Sequence, residues 1–294
     1  MHGARREVAP GADSGRRFRS VRYALLAGIV LAVAAGGFQL ARWNSDEPAS
    51  GGSAGDRQAW VLDREDPFAG TPAQDWPDGA AGIVLPEATP VGEHSAAEVA
   101  AALADVRELL VVSRLERSVI EGGDVEPYLS MLAPAEREAR RAEFAGEGDR
   151  GPGTLATRID PRFRLLPAEP KVSGRMWAEE GADGALRIRT NYVFAYAFDP
   201  GEQARPAAPL DLVAMVRADV DYDVRTGPRW YERDQGIAFG GGQIGVYSMA
   251  CEPTRRGLLA PAYSESEFTG LPEGRGPGTY FDHSRPMNFG NSCA

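Results

Sequence analysis

Lysine, histidine and cysteine are scarce in this chain. Of its 32 basic residues only Lys171 is a lysine, and its 294 residues include three histidines and two cysteines. Zinc sites in proteins combine several histidines or cysteines at short spacing, and no such group occurs here. We therefore expect no metal site, and no sequence pattern indicates a bound cofactor.

Outside the first 22 residues, acidic side chains outnumber basic ones. Residues 1–22 contain six arginines and two acidic residues, a net charge of +4. Because the whole chain has a net charge of −10, the remainder carries −14. A protein segment with this net negative charge repels the phosphate groups of nucleic acids. We therefore expect no nucleic acid partner, and we interpret residues 1–22 as a basic cytoplasmic tail.

Residues 23–41 contain no charged side chain at all. This stretch is 19 residues long and mostly apolar. As a helix it would reach roughly 28 Å, close to the thickness of a bilayer's hydrocarbon core. Arginines before such a segment favour the cytoplasmic side. The pattern predicts a transmembrane helix in the lipid bilayer with an extracytoplasmic C-terminal domain. A cleaved signal peptide ending near Ala34 is the open alternative.

The chain after this segment divides by composition. Residues 42–59 are rich in Gly, Ser, Asp and Ala and predict a flexible tether. Residues 60–92 contain large apolar side chains among prolines and glycines, which predicts an irregular segment packed on a folded domain. Residues 93–294 have the periodic patterns of an α+β domain, with an aperiodic C-terminal coil after Cys251.

Helices are predicted first in this domain. Ser95 and Glu98 form the pattern of a capping box, and apolar residues follow at helical spacing. We expect this helix to continue to Gly122-Gly123. Two further helices are predicted near 126–132 and at 135–144, the latter after Pro134 in its first turn.

Strands are predicted next. Apolar residues alternate in 186–198 and again in 210–225, which indicates two long amphipathic strands. A strand at 171–178 precedes them across a turn at Asp183-Gly184. A last strand is expected at 243–251, after a flexible connection at Gly240-Gly241-Gly242.

The two cysteines, Cys251 and Cys293, would both lie outside the membrane. An even number of cysteines in an oxidising compartment predicts a disulfide, here one that fastens the C-terminal coil to the domain. The spacing lacks the Cys-x-x-Cys pattern of reactive thiol pairs, so we interpret the pair as structural.

The order of helices followed by a long antiparallel sheet is typical of α+β proteins. It resembles the NTF2-like (SnoaL-like) fold, a cone in which helices pack on a curved sheet. The resemblance covers about Ala96 to Cys251 and implies a cavity on the concave face. An aromatic stripe at period two is also typical of a filled core. The side chains expected to line such a cavity are Tyr192, Phe194, Tyr196, Phe198 and Tyr222.

Three short segments carry a second resemblance. They are 66–72 (Asp-Pro-Phe-Ala-Gly-Thr-Pro), 79–86 (Gly-Ala-Ala-Gly-Ile-Val-Leu-Pro) and 247–251 (Tyr-Ser-Met-Ala-Cys). In these the chain is similar to single-pass actinobacterial membrane proteins of unknown function. This resemblance implies a cell-envelope location and assigns no activity and no site residues.

No catalytic constellation is evident. Asp219, Asp221 and Asp223 resemble the start of a calcium loop, but Val224 and Trp230 stand where its glycine and bidentate glutamate are needed. The leading hypothesis is therefore a non-catalytic envelope protein that binds another envelope protein or itself. The alternative is an extracytoplasmic enzyme or small-molecule binder that uses an apolar cavity in the cone.

Overall fold

The computed structural model describes residues 62–145, 152–202, 204, 206, 208–265 and 280–287. The predicted tail, transmembrane helix and tether all lie outside these residues. Among the residues that are described, no helix combines the length and the apolar character needed to cross a membrane.

The described residues form an α+β fold, as predicted. The helices are α1 Ala96–Arg114, α2 Arg117–Ile120, α3 Glu126–Ser130, α4 Pro134–Phe144, α5 Pro209–Leu212 and α6 Cys251–Arg255. The strands are β1 Lys171–Glu180, β2 Leu186–Ala197, β3 Val213–Arg225 and β4 Gly236–Tyr247. These strands pair antiparallel in the order β1-β2-β3-β4, so every neighbour in the sheet is also a neighbour in the chain.

Helix α1 begins as the sequence predicts. The Glu98 amide donates to Ser95 Oγ over 3.3 Å, and the Ser95 amide donates to Glu98 Oε2 over 2.8 Å. This capping box satisfies two backbone donors that the first turn leaves unpaired. The predicted end at Gly122-Gly123 is wrong. Glu116 is extended, with φ −68° and ψ 118°, and it separates α1 from the single turn of α2.

The period-two pattern of β2 and β3 is confirmed. Alternate residues of both strands, beginning with Leu186 and Ala214, are buried against α1 and the shorter helices in the main apolar core. We call this side the helical face. The predicted start of β3 at Leu210 is wrong, because Pro209–Leu212 form the turn of α5 instead.

The last strand differs most from expectation. Gly240-Gly241-Gly242, predicted as a connection, lies inside β4, opposite a bulge at Asp221 and Tyr222 of β3. A Cβ on Gly242 would approach the Asp219 carbonyl oxygen to 2.8 Å, so this close pairing requires glycine. The strand also ends at Tyr247, and Cys251 begins α6 rather than ending a strand.

The other side of the sheet, the outer face, is covered by the two ends of the described chain. A second apolar cluster there joins Val193, Ala195 and Met215 of the sheet to Phe68 and to Tyr280–Phe281. We call residues 280–287 the C-terminal cover. The Trp76 and Phe281 ring centroids are 5.7 Å apart, so the N-terminal and C-terminal segments also touch each other.

A buried cation fastens the C-terminal cover to the sheet. Arg217 of β3 is 1% exposed. Its Nη1 donates to the Asp282 carbonyl oxygen over 3.1 Å, and its Nη2 donates to the carbonyl oxygens of His283 and Arg285. Burial lowers the pKa of this guanidinium, against the opposing effects of Asp219 and Asp282. The cover is therefore held by main-chain acceptors as well as by its aromatic side chains.

Candidate functional site

The five aromatic residues predicted to line a cavity fill the core instead. The side chains concerned are those of Tyr192, Phe194, Tyr196, Phe198 and Tyr222, and each is 0% exposed. All belong to the apolar cluster on the helical face. None of them lines either of the two pockets described below.

A pocket of about 240 Å³ opens beside these aromatic residues, still on the helical face. Its walls come from the sequence segments 153–158 and 249–259 and from β3 and β4. The apolar lining consists of Val216, Ile244, Val246, Met249, Leu258 and Leu259, and the polar lining of Thr154, Thr157, Arg158 and Thr254, with Gly153 and Gly257. Among the described residues, this lining contains no carboxylate, imidazole or thiol.

Main-chain bonds hold two of these walls together. The Leu259 amide donates to the Arg158 carbonyl oxygen over 2.7 Å, and the Asp160 amide donates to the Leu259 carbonyl oxygen over 2.9 Å. The Asp160 carboxylate accepts from Arg162 and Arg256. Its hydrogen bonds from Arg162 lower the pKa of Asp160 to about 2. Asp160 is therefore ionised at neutral pH and is already paired.

Behind the pocket lies a fully buried arginine, Arg114, at the end of α1. Its Nη1 donates to the Gly153 carbonyl oxygen over 2.9 Å and its Nη2 to the Thr154 carbonyl oxygen over 2.6 Å. Thr157 Oγ1 lies 3.2 Å from Arg114 Nη1 and 3.0 Å from the Tyr196 hydroxyl. Arg114 and Tyr196 thus fix the 153–157 wall from inside the core.

Three other buried tyrosine hydroxyls differ from that of Tyr196. Those of Tyr128, Tyr192 and Tyr222 have no hydrogen-bond partner in the part of the chain that the structure describes. Burial raises the pKa of Tyr222 and of Tyr196 to about 12, so both remain neutral at physiological pH. The difference between them therefore lies in hydrogen bonding and not in charge.

This difference predicts opposite effects of removing a hydroxyl. Tyr196→Phe should lower the free energy of unfolding by about 1–2 kcal/mol, because the Arg114 carbonyl oxygen loses a buried donor and the Thr157 hydroxyl loses a hydrogen-bond partner. Tyr222→Phe should be neutral or raise it by about 1 kcal/mol, since an unpaired buried hydroxyl is removed. Urea unfolding of both variants against the unaltered protein measures the contrast. Equal destabilisation would contradict it.

Arg158 is the charged group in the lining of the pocket. It is half-buried, and its guanidinium carbon lies 5.2 Å from the centre of the Phe144 ring. Its Nε is buried, and no acceptor for it exists among the described residues. Burial lowers the pKa of Arg158, and no neighbouring charge in this part of the chain opposes the effect. The pocket therefore has apolar walls and one cation without a carboxylate partner.

A second depression is open to solvent at the β1–β2 turn. It is lined by Asp183, Gly184, Arg229, Trp230, Tyr231 and Asp234. Arg229 is paired with Glu93 over 3.0 Å, and the Tyr231 side chain projects outward at 82% exposure. This surface lacks the enclosing apolar walls of the pocket beside β4.

Two of the three aspartates of β3 are paired with arginines. Asp223 accepts from Arg187 over 2.8 Å and Asp221 from Arg189 over 3.1 Å, both across to β2. Among the described residues no group of three or more acidic, histidine or cysteine side chains could hold a metal ion. Cys293 lies outside these residues, so its disulfide with Cys251 stays a prediction.

Comparison of the chain with protein-family models, with curated proteins and with solved structures gives no match. The function is therefore inferred from the pocket itself. Sequence reasoning missed Arg158, the charged group of the pocket lining, and Arg114, which lies behind it. The available signal was weak, because both arginines occur in segments where a solvent-exposed position is the ordinary expectation.

Proposed function

We propose that this chain is a non-catalytic, membrane-anchored envelope protein whose extracytoplasmic, NTF2-like domain binds a small and largely apolar molecule. The observation that carries the proposal is the pocket beside β4, with its apolar walls and its single unpaired guanidinium. Ligand pockets in proteins share this combination of apolar lining and few polar groups.

The size of the pocket limits the ligand. A volume of about 240 Å³ is below the range typical of drug-sized ligands. At about 30 Å³ for each group the size of a water molecule, it holds roughly eight such groups. A linear chain of about eight carbon atoms is therefore a suitable probe.

The chemistry of the lining favours binding over catalysis. Acid–base catalysis needs a titratable group within hydrogen-bond reach of the substrate. The described lining offers hydroxyls and one arginine, and the Thr254 hydroxyl is already occupied as a donor to the Ala250 carbonyl oxygen. Thr157 Oγ1 likewise accepts from Arg114 and Tyr196.

Methionine methyl signals provide a test of the pocket. Met249 lines it, whereas Met215 is buried on the outer face of the sheet. In the full chain labelled with ¹³C-methyl methionine and held in lipid nanodiscs, 1-octanol should shift the Met249 signal saturably and leave Met215 unchanged. Ile244→Trp, which fills the pocket from β4, should abolish the shift. A Met249 signal that stays unmoved by both 1-octanol and octanoate would refute ligand binding.

The location rests on residues 23–41 and is tested separately. After cell fractionation the protein should remain with the membrane and resist extraction by high salt or carbonate. A soluble product that begins near Ala35 would instead show that the segment is a cleaved signal peptide.

One surface favours protein binding as a second candidate function. Val84 and Leu85 are adjacent, and they are 70% and 41% exposed. Exposed apolar side chains that lie close together are common at protein interfaces. In-membrane cross-linking through a cysteine introduced at Val84 should capture a specific partner or a second copy. Recovery of monomer alone would leave small-molecule binding as the remaining proposal.

A further inference from the structure

The unpaired cation of the pocket lies beside carboxylates that are already engaged. Asp160 is two residues from Arg158, yet its oxygens accept from Arg162 and Arg256. Glu143, next to Phe144, is paired with Arg140. The described part of the chain thus provides no anion to Arg158, although carboxylates occur on both neighbouring segments.

Phe144 fixes how this cation is presented. Its ring lies 5.2 Å from the guanidinium carbon, and the contact supports the cation through the face of the aromatic ring. A cation–π contact uses none of the N–H groups, so the donors of Arg158 remain available. Its Nε is buried and without an acceptor. An anion that accepted hydrogen bonds from this half-buried cation would offset the desolvation of the guanidinium.

We propose that the ligand of this pocket is a medium-chain carboxylate, whose head group pairs with the Arg158 guanidinium and whose alkyl chain lies against Val216, Val246 and Leu259. The inference rests on the proposed function and adds the chemical class of the ligand. A carboxylate matches the planar fork of a guanidinium and accepts two parallel hydrogen bonds. The apolar walls then account for the remaining volume.

The test compares two compounds that differ in the head group. Octanoate and 1-octanol have the same chain length, and at pH 7.5 octanoate is ionised. The full chain in nanodiscs of zwitterionic lipid is titrated with each, and the Met249 methyl shift is plotted against the free aqueous concentration. We expect octanoate to bind at least tenfold more tightly than 1-octanol. This comparison uses the unaltered protein and depends on no variant.

Substitutions at two positions then test whether the preference for octanoate depends on Arg158. Arg158→Gln should weaken the binding of octanoate and leave the binding of 1-octanol unchanged. The affinities for the two compounds should then differ by no more than about twofold. Arg255 is an exposed arginine on α6, and Arg255→Gln removes the same charge without touching the pocket. It should leave the tenfold preference intact. Arg158→Lys should retain part of the preference, because a lysine keeps the charge but not the fork.

Three other outcomes would each refute part of the proposal. Equal affinities for octanoate and 1-octanol in the unaltered protein refute the carboxylate class and leave ligand binding standing. A preference that survives Arg158→Gln refutes the role of Arg158. Absence of any Met249 shift with either compound refutes the proposed function together with this inference.

Discussion

Arg217→Met should lower the free energy of unfolding by about 3–5 kcal/mol, the largest effect that we expect from one substitution. The side chain is 1% exposed and donates to three main-chain carbonyl oxygens of the C-terminal cover. Methionine fills much of the same volume but donates to none of them. The cover would then bury unpaired acceptors or detach from the outer face.

Hydrogen exchange distinguishes these two results. Detachment should raise the exchange rates of amides in 280–287 and of Met215 on β3, while amides of α1 keep their protection. Arg285→Met is the control. Its side chain is exposed and pairs locally with Asp282, so its loss should cost less than about 1 kcal/mol. An Arg217→Met variant as stable as the Arg285→Met variant would contradict the assignment.

Arg114→Met should lower the free energy of unfolding by about 3 kcal/mol, because two buried carbonyl oxygens and a threonine hydroxyl lose their donors. Arg114 joins the end of α1 to the 153–157 wall, so the variant should also weaken 1-octanol binding in the pocket. Urea unfolding and the Met249 methyl shift measure the two effects on one sample.

A double-mutant cycle shows whether Arg114 acts through this wall. Arg114 and Tyr196 both contact Thr157 Oγ1. Arg114→Met and Tyr196→Phe should therefore be non-additive by about 0.5 kcal/mol or more. Arg114→Met combined with Ser95→Ala, at the opposite end of α1, should be additive. Additivity in both cycles would count against a shared role at Thr157.

The strands of the sheet could be predicted where apolar and polar side chains alternate clearly along the chain. In β2 and β3 the side chains toward the helical face are apolar or aromatic except for the buried Thr190, so period two marks both strands. The second half of β2 is buried on both faces, since Val193 and Ala195 belong to the apolar cluster on the outer face. There the alternation disappears, but the apolar run still favours a strand.

The features that the sequence did not predict depend on contacts between residues distant in sequence. β4 contains three consecutive glycines, which local propensity assigns to a loop, and only close pairing with β3 makes them part of a strand. The end of α1 at Arg114 depends on acceptors about 40 residues later in the chain. Hydropathy alone cannot predict a buried arginine, because its partners are main-chain carbonyl groups without a sequence signature.

The sequence could assign the aromatic residues to one face of the sheet, but it could not identify the residues that line the pocket. Alternation placed Tyr192, Tyr196 and Tyr222 correctly on the helical face, where all three are buried. Large aromatic rings fill that part of the core, so the space remains only beside them, where β3 and β4 bear Val216, Ile244 and Val246. The position of a pocket depends on the volumes of the side chains around it. The period-two pattern of the sequence gives no information about these volumes.

The covering of the outer face by segments from both ends of the described chain has a consequence for the timing of folding. The four strands pair in the order in which they occur in the chain, so the sheet can form as a local meander. Its outer face is not fully covered until residues 280–287 have been synthesised and have packed against it. Until then the apolar cluster that includes Met215 and Val213 lacks its C-terminal cover and can contact other chains. A truncation before Tyr280 should therefore produce a protein that aggregates more readily than the unaltered protein, although its sheet is complete.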